Sequence, residues 1–261
     1  MRVLAVHSHP DDIEFVIAGT LFLLKERGCE IHYMNIANGC YGTAEYSKDE
    51  ITRIRREESI AATEVLGATY HESICDDMAV FYTEESLRRM AAVVREVAPD
   101  IMFVASPQDY MEDHMNASRA AVTAVFSRGI RNAVCEPPRP PVLDSVTVYH
   151  AQPYGLRDGL RRRVYPGLYV DISGVVDEKR AMLAEHRSQQ DWLDVSQGLN
   201  AYLETMVDMS AEMGRLSGCF ASAEGWRRHL HLGFCDADDD PLRGALGEQC
   251  RVNEDYERGL G

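Results

Sequence analysis

The sequence predicts an α/β fold: a mainly parallel sheet with helices on both faces. Three observations carry this. Short apolar runs bounded by turn residues alternate with longer amphipathic runs through the first half of the chain. Glycines close two of the amphipathic runs, at Gly28 and Gly67. The chain has 261 residues, enough for one large domain with a full hydrophobic core.

The elements follow in order. Residues 2–7 read as a strand, and "EFVIAGTLFLLKER" (14–27) as a helix ending at Gly28. "EIHYMNI" (30–36) is the second strand. "ANGCYGTAEYSKDE" is a glycine-bearing loop, and residues 49–66 form a helix closed by Gly67. A short strand near 69–75, a helix near 84–97 and the strand "DIMFVAS" (100–106) come next, followed by a helix in "NASRAAVTAVFSR". The proline-rich "CEPPRPPVLDS" (135–145) cannot be helix interior. "VTVYHA" and "LYVDIS" (168–173) read as strands, the second leading into a long helical region, roughly 174–214. The acidic end, from "DADDD" onward, reads as a short helix and a frayed tail. Residues 1–261 are taken as one domain, with a C-terminal lobe, roughly 174–261, packing on the core or on a neighbouring subunit.

Composition excludes some partners. The formal net charge is −15, which disfavours nucleic acid and anionic membrane surfaces, since both need positive charge. No window holds about 18 apolar residues in a row, so no membrane span is expected. "MRVLAV" enters a strand directly, with no apolar targeting segment behind a basic end. The seven cysteines are odd in number, scattered and never spaced Cys-x-x-Cys, the pattern of reduced thiols in a cytoplasmic chain.

The chemistry concentrates in "VLAVHSHPDDIEF" (3–15). In open α/β sheets ligands sit beyond the carboxyl ends of the strands, and His9, Asp11 and Asp12 lie at the end of the first one. "SPQDYMEDHMNAS" (106–118) follows a later strand and holds Asp109, Asp113 and His114. Parallel strands bring the two clusters to one edge. A catalytic zinc takes three protein ligands and leaves a position open. His9 and Asp12, three apart, share one side of a first helical turn, where Pro10 costs no hydrogen bond, and His114 supplies a third donor. Asp11 is left over, a carboxylate placed to act as general base. Aspartates at a helix start also suit the helix dipole, so "HPDD" alone fits a plain capped helix. His7, on the same side of the strand as His9, reads as a satisfied, partly buried histidine or as support for the ligands.

These residues resemble the PIG-L/LmbE family of zinc-dependent N-deacetylases. The likeness includes "HPDD", "AGTL" (18–21), "IRREESIAATEVLGA" (54–68), "DYMEDH" (109–114), "VDIS…K…HRSQ" (170–189) and "SAEGWRRH" (222–229). It implies a Rossmann-like three-layer α/β/α fold and removal of an acetyl group from an N-acetylglucosamine-type glycoconjugate. It further implies Zn2+, or another divalent metal, on His9, Asp12 and His114, with Asp11 as the base. Arg55 matches an arginine that contacts sugar hydroxyls; its other reading is a surface pair with Glu58. Asp76 or Asp77 in "ICDDMAV" matches a second sugar contact. Asp113 is expected to support the ligands from behind. Relatives with "HRSQ" are often oligomeric, so a homo-oligomer, trimer or hexamer, is expected, with the apolar "WRRHLHLGF" against a neighbour. The rival readings are a zinc amidase on a non-sugar acyl group and a zinc-bearing binding protein without turnover.

One position departs from the family. Many relatives carry an oxyanion-stabilising histidine three residues before the ligand histidine; here it is Met111, which can neither donate a hydrogen bond nor carry charge. Of the unassigned histidines His186, His229 and His231, His229 is expected to take that catalytic role.

Overall fold

The computed structural model describes residues 1–197 and 201–261. Eight strands, β1 Arg2–His7, β2 Glu30–Asn35, β3 Thr69–His71, β4 Ile101–Val104, β5 Thr147–His150, β6 Leu168–Asp171, β7 Ala223–Arg228 and β8 Cys250–Val252, form one sheet. Its order is β3-β2-β1-β4-β5-β7-β6-β8. Neighbours from β3 to β5 pair parallel, whereas β7 runs antiparallel to β5 and β6, and β8 antiparallel to β6. The fold is the expected three-layer α/β/α type with a mainly parallel sheet.

β1 shows why its sequence is a continuous apolar run rather than an alternating one. Val3 and Ala5 join a core with Ile13, Leu21, Leu24 and Trp226. Leu4 and Val6 point the other way, into a core with Met90, Val94 and Ala121. A strand covered on both faces needs apolar residues at every position. Helices α1 (Asp12–Val16), α2 (Ala18–Glu26) and α3 (Lys48–Leu66) cover the first face. Helices α4 (Glu84–Val97) and α5 (Glu112–Ser127) cover the second. α3 opens with a capping box: Ser47 accepts from the Glu50 N–H, and the Glu50 carboxylate accepts from the Ser47 N–H at 3.0 Å. It closes at Gly67 in the left-handed region, φ 65°.

Three expectations need correction. The helix expected over 14–27 begins earlier, at Asp12, and is two helices broken at Ile17, whose φ of −129° is not helical. Among the described residues the long helical region holds α6 (Val176–Leu183), α7 (Arg187–Gln197) and α8 (Ala201–Ser217), with α6 and α7 separated at residues 184–186. The acidic tail is not frayed. It supplies α9 (Pro241–Leu246), β8 and α10 (Glu254–Arg258), and Asn253 N–H donates to the Gly167 carbonyl at 2.8 Å.

β7 escaped the sequence reading because "AEGWRR" looks like a polar surface segment. Two of its three charges, Glu224 and Arg227, are buried. Glu224, 3% exposed, accepts from the backbone N–H groups of Gly19 (2.9 Å) and Thr20 (2.8 Å) at the start of α2, and from Lys179 Nζ on α6 (2.8 Å). Gly19 is obligatory at this approach: a Cβ there would meet Ile172 and the Glu224 carboxylate. The buried pair thus ties α2, α6 and β7 together, and truncating one partner of such a pair typically costs about 3–5 kcal/mol because the other charge is stranded.

Candidate metal centre and active site

β1 lies between β2 and β4, so the chain turns opposite ways on its two sides. The crevice beyond the carboxyl ends of β1 and β4 is where such sheets bind ligands. A cavity of about 370 Å³ opens there, lined by His9, Asp11, Asp12 and His114 and by residues from both halves of the chain.

Asp12 Oδ2 is the centre of the site. His7 Nδ1 lies 2.8 Å from it, and His9 Nδ1 and His114 Nε2 lie 3.4 Å from it. The His9 ring is hydrogen-bonded from behind, and the His114 ring has a carboxylate behind it. His9 Nε2 faces Asp113 Oδ2 at 3.1 Å, and His114 Nδ1 faces Asp109 Oδ1 at 3.1 Å. Met78 N–H, from a residue at φ 58°, also donates to Asp113 at 2.6 Å. An imidazole that gives its rear N–H to a carboxylate presents a lone pair at the front, the habit of metal-ligating histidines. Lone pairs converging on a carboxylate oxygen repel unless a cation or protons lie between them. The residues present therefore fit a divalent ion. Ligand atoms of His7, Asp12 and His114 lie within 4.8 Å of one another. The structure thus brings two of the expected ligands, Asp12 and His114, together with His7, and sets His9 between Asp12 and Asp113.

Electrostatics point the same way. Burial opposes the charge on Asp12, but the charges of His114 and His7 outweigh it and hold its carboxyl well below the usual range. Burial would lower the His9 pKa, yet hydrogen bonds to Asp113 and Asp12 push it up to about 10. His114 is also raised: burial opposes this, but the charge of Asp12 and its contact with Asp109 prevail. Imidazoles that hold their protons this firmly mark a pocket that attracts positive charge.

Asp11 has a different environment. Its backbone is left-handed, φ 94°, a conformation that costs a non-glycine residue about 1–3 kcal/mol and persists only where the surroundings enforce it. Burial raises its carboxyl to about 6 against the opposing pull of Arg55. Arg55 is buried, with Nη2 3.6 Å from Asp11 Oδ2 and 2.5 Å from the Pro10 carbonyl, and Nη1 donates to Gln189. It makes no surface pair with Glu58, which instead accepts from Ser188 N and Oγ, both at 2.7 Å. The loop "ANGCYG" wraps the guanidinium; a Cβ at Gly39 (φ 76°) or Gly42 would strike it. Asp77 lines the cavity and pins this loop, accepting from Gly39 N (2.7 Å) and Tyr41 N (2.9 Å). Asp76 lies outside the lining and binds Lys48 and Asn38.

Met111 does face the cavity. His229 does not line it: its Nδ1 meets His150 Nε2 at 2.9 Å and its ring packs edge-on to Phe234. His186 is fully buried, its Nε2 3.0 Å from Glu14 Oε1. "HRSQ" is therefore a clasp in which His186 holds α1, Ser188 holds α3 and Gln189 holds Arg55. Tyr154, Trp192 and Tyr202 also line the cavity; the sequence does not mark them, since Trp192 and Tyr202 fall in a helical region, where aromatics read as ordinary core, and Tyr154 follows a strand with no motif around it.

A family model described as PIG-L, GlcNAc-PI de-N-acetylase, matches residues 4–125, which span β1 to α5 and hold His9, Asp11, Asp12 and His114. A diacetylchitobiose deacetylase of Thermococcus kodakarensis is 28% identical over 232 residues, 87% of this chain and 82% of that protein. A 4-oxalmesaconate hydratase of Pseudomonas putida is 28% identical over 188 residues, 69% of this chain and 70% of that one. Among solved structures, the N,N'-diacetylchitobiose deacetylase of Pyrococcus horikoshii superposes with a TM-score of 0.73 at 22% identity, covering 92% of this chain and 88% of that one. The family match over the site, residues 4–125, and the similarity to a deacetylase through most of the chain make this chain similar to proteins of the PIG-L family.

Proposed function

We propose that the chain is a zinc-dependent hydrolase that removes the acetyl group from an N-acetylated amino sugar. The carrying observation is the pairing, within one cavity, of a donor set built for a cation with a separate carboxylate, Asp11. His9, Asp12 and His114 would hold the ion. His7 is set apart because its Nδ1, 2.8 Å from Asp12 Oδ2, is placed to donate a proton there and so orient that carboxylate. Bound there, zinc supplies positive charge that polarises the acetyl carbonyl and acidifies water. Asp11 takes the proton from the attacking water and returns it to the leaving amine, so that water is split between acetate and a free amino group. Met111 adds no donor for the carbonyl oxygen. Arg55 and Asp77 are the proposed sugar-side residues, and Asp113 and Asp109 keep the ligand rings aligned.

The hydratase relative raises a second reading, hydration of an unsaturated carboxylate. Charge favours the acetamide. Among the described residues lining the cavity, Arg55 is the cationic side chain outside the histidine cluster, and its charge is already paired with Asp11. A neutral N-acetyl sugar needs no further cation, whereas an anion such as oxalmesaconate does. Acetate release from a panel of N-acetyl sugars tests the choice.

We further propose a homo-oligomer, trimer or hexamer. Leu230 and Leu232, in the segment expected to meet a neighbour, are 62% and 63% exposed. Sedimentation velocity at micromolar concentration is expected to show a species several times heavier than 29.3 kDa; a lone 29.3 kDa species contradicts it. None of the seven cysteines is paired in a disulfide, which fits a reducing, cytoplasmic setting. No described helix is long and apolar enough to cross a membrane.

A further inference from the structure

We propose that Tyr202 is a positioning residue for Asp11, fixing which of its two oxygens receives the proton. The proposal rests on Asp11 being the base. Tyr202 lies on α8, far outside the family match, and is 3% exposed. Its hydroxyl donates to Asp11 Oδ2 at 2.8 Å. Arg55 approaches the same oxygen, at 3.6 Å. Among the described residues, no hydrogen-bond donor is found on Oδ1, and Asp11 itself lines the cavity. One oxygen is thus tied from behind by a neutral donor and a cation, and the other is left to face water and substrate.

The tie is needed because Asp11 is otherwise poorly fixed. Its left-handed backbone belongs to the sharp turn between β1 and α1, and it makes no side-chain cap to that helix. A carboxylate free to rotate would offer either oxygen, and would swing toward the cation site at Asp12. A misplacement of about 1 Å in a reacting group can cost about 10²-fold in rate. Tyr202 is itself rigid. Its ring packs edge-on to Phe15 at 5.2 Å, and Phe15 packs likewise on Tyr154 at 5.3 Å. The C-terminal half of the chain therefore reaches the base through one phenol, carried on a helix that packs against β7 and α1.

Tyr202→Phe removes the hydroxyl and keeps the ring against Phe15. Expected is a fall in kcat of about tenfold or more with KM within about twofold, and unchanged melting temperature and zinc content. Crystal structures supply a readout independent of turnover: the Asp11 carboxylate in one orientation in the parent protein, and turned or split in Tyr202→Phe, with zinc present or absent. A kcat within twofold of the parent overturns the proposal. So does a rise in KM at constant kcat, which would make the hydroxyl a substrate contact. A variant that loses its fold or melts well below the parent assigns the hydroxyl to holding α8 and also overturns it. If the parent protein releases no acetate from any N-acetyl sugar, the deacetylase reading fails, and the orientation of Asp11 in the two crystal structures still decides the role of Tyr202.

Discussion

Asp11→Asn is expected to retain zinc at the parent stoichiometry and to lose about 10²–10⁴-fold in turnover, the usual cost of removing a general base. The amide keeps the shape of the side chain, and its oxygen can still accept from Tyr202, so the turn at φ 94° and the packing behind it survive. What is lost is the ability to take a proton. Asp12 stands next in sequence, but it cannot substitute: three imidazoles and the His9 backbone N–H surround its Oδ2. Metal analysis alongside steady-state kinetics checks this. Turnover within a few-fold of the parent, with zinc in place, would assign the base to another residue.

Removing the metal is the second large effect. Chelation is expected to abolish activity and lower the melting temperature, and added zinc to restore both, because an ion that binds only the folded state stabilises it by mass action. His114→Ala should do the same permanently. It strips a donor from the front of the site and leaves Asp109, fully buried at its side chain, without the ring it faces. Zinc content by elemental analysis, with melting curves taken at matched pH, reads the result. Unchanged zinc in His114→Ala would remove His114 from the ligand set, and full turnover of verified metal-free protein would overturn the metal reading altogether.

The parallel half of the fold was legible because its physics is local. β1, β2 and β4 are buried on both faces and read as apolar runs, and α3 carries its own start and stop in Ser47, Glu50 and Gly67. The antiparallel half was not. β7 carries Glu224 and Arg227, both buried, and their partners Lys179, Gly19 and Ser106 lie far away in the sequence. A charged residue satisfied by such partners looks like surface until the fold supplies them. The site divides in the same way. Asp11, Asp12 and His114 could be singled out because strand ends and spacing put them at one edge. The contribution of Tyr202, and of Gln189 to Arg55, depends on packing between segments more than 130 residues apart. The break at Ile17 and the placement of His7 beside Asp12 come from the tight turn at Asp11, whose left-handed backbone no composition rule marks in a non-glycine residue. Within this chain His229 lies away from the cavity for a packing reason as well: β7 pairs with β5 and delivers that ring to His150.

The most direct test of the central claim is product analysis. Zinc-loaded protein is incubated with a panel of N-acetylated amino sugars, mono- and disaccharide, and separately with unsaturated di- and tricarboxylates, with acetate, free amine and loss of the alkene chromophore all measured. Acetate and primary amine are expected in equal amounts from at least one sugar, both abolished in Asp11→Asn, with no hydration of the carboxylates. Hydration of a carboxylate with no acetate from any sugar would contradict the claim.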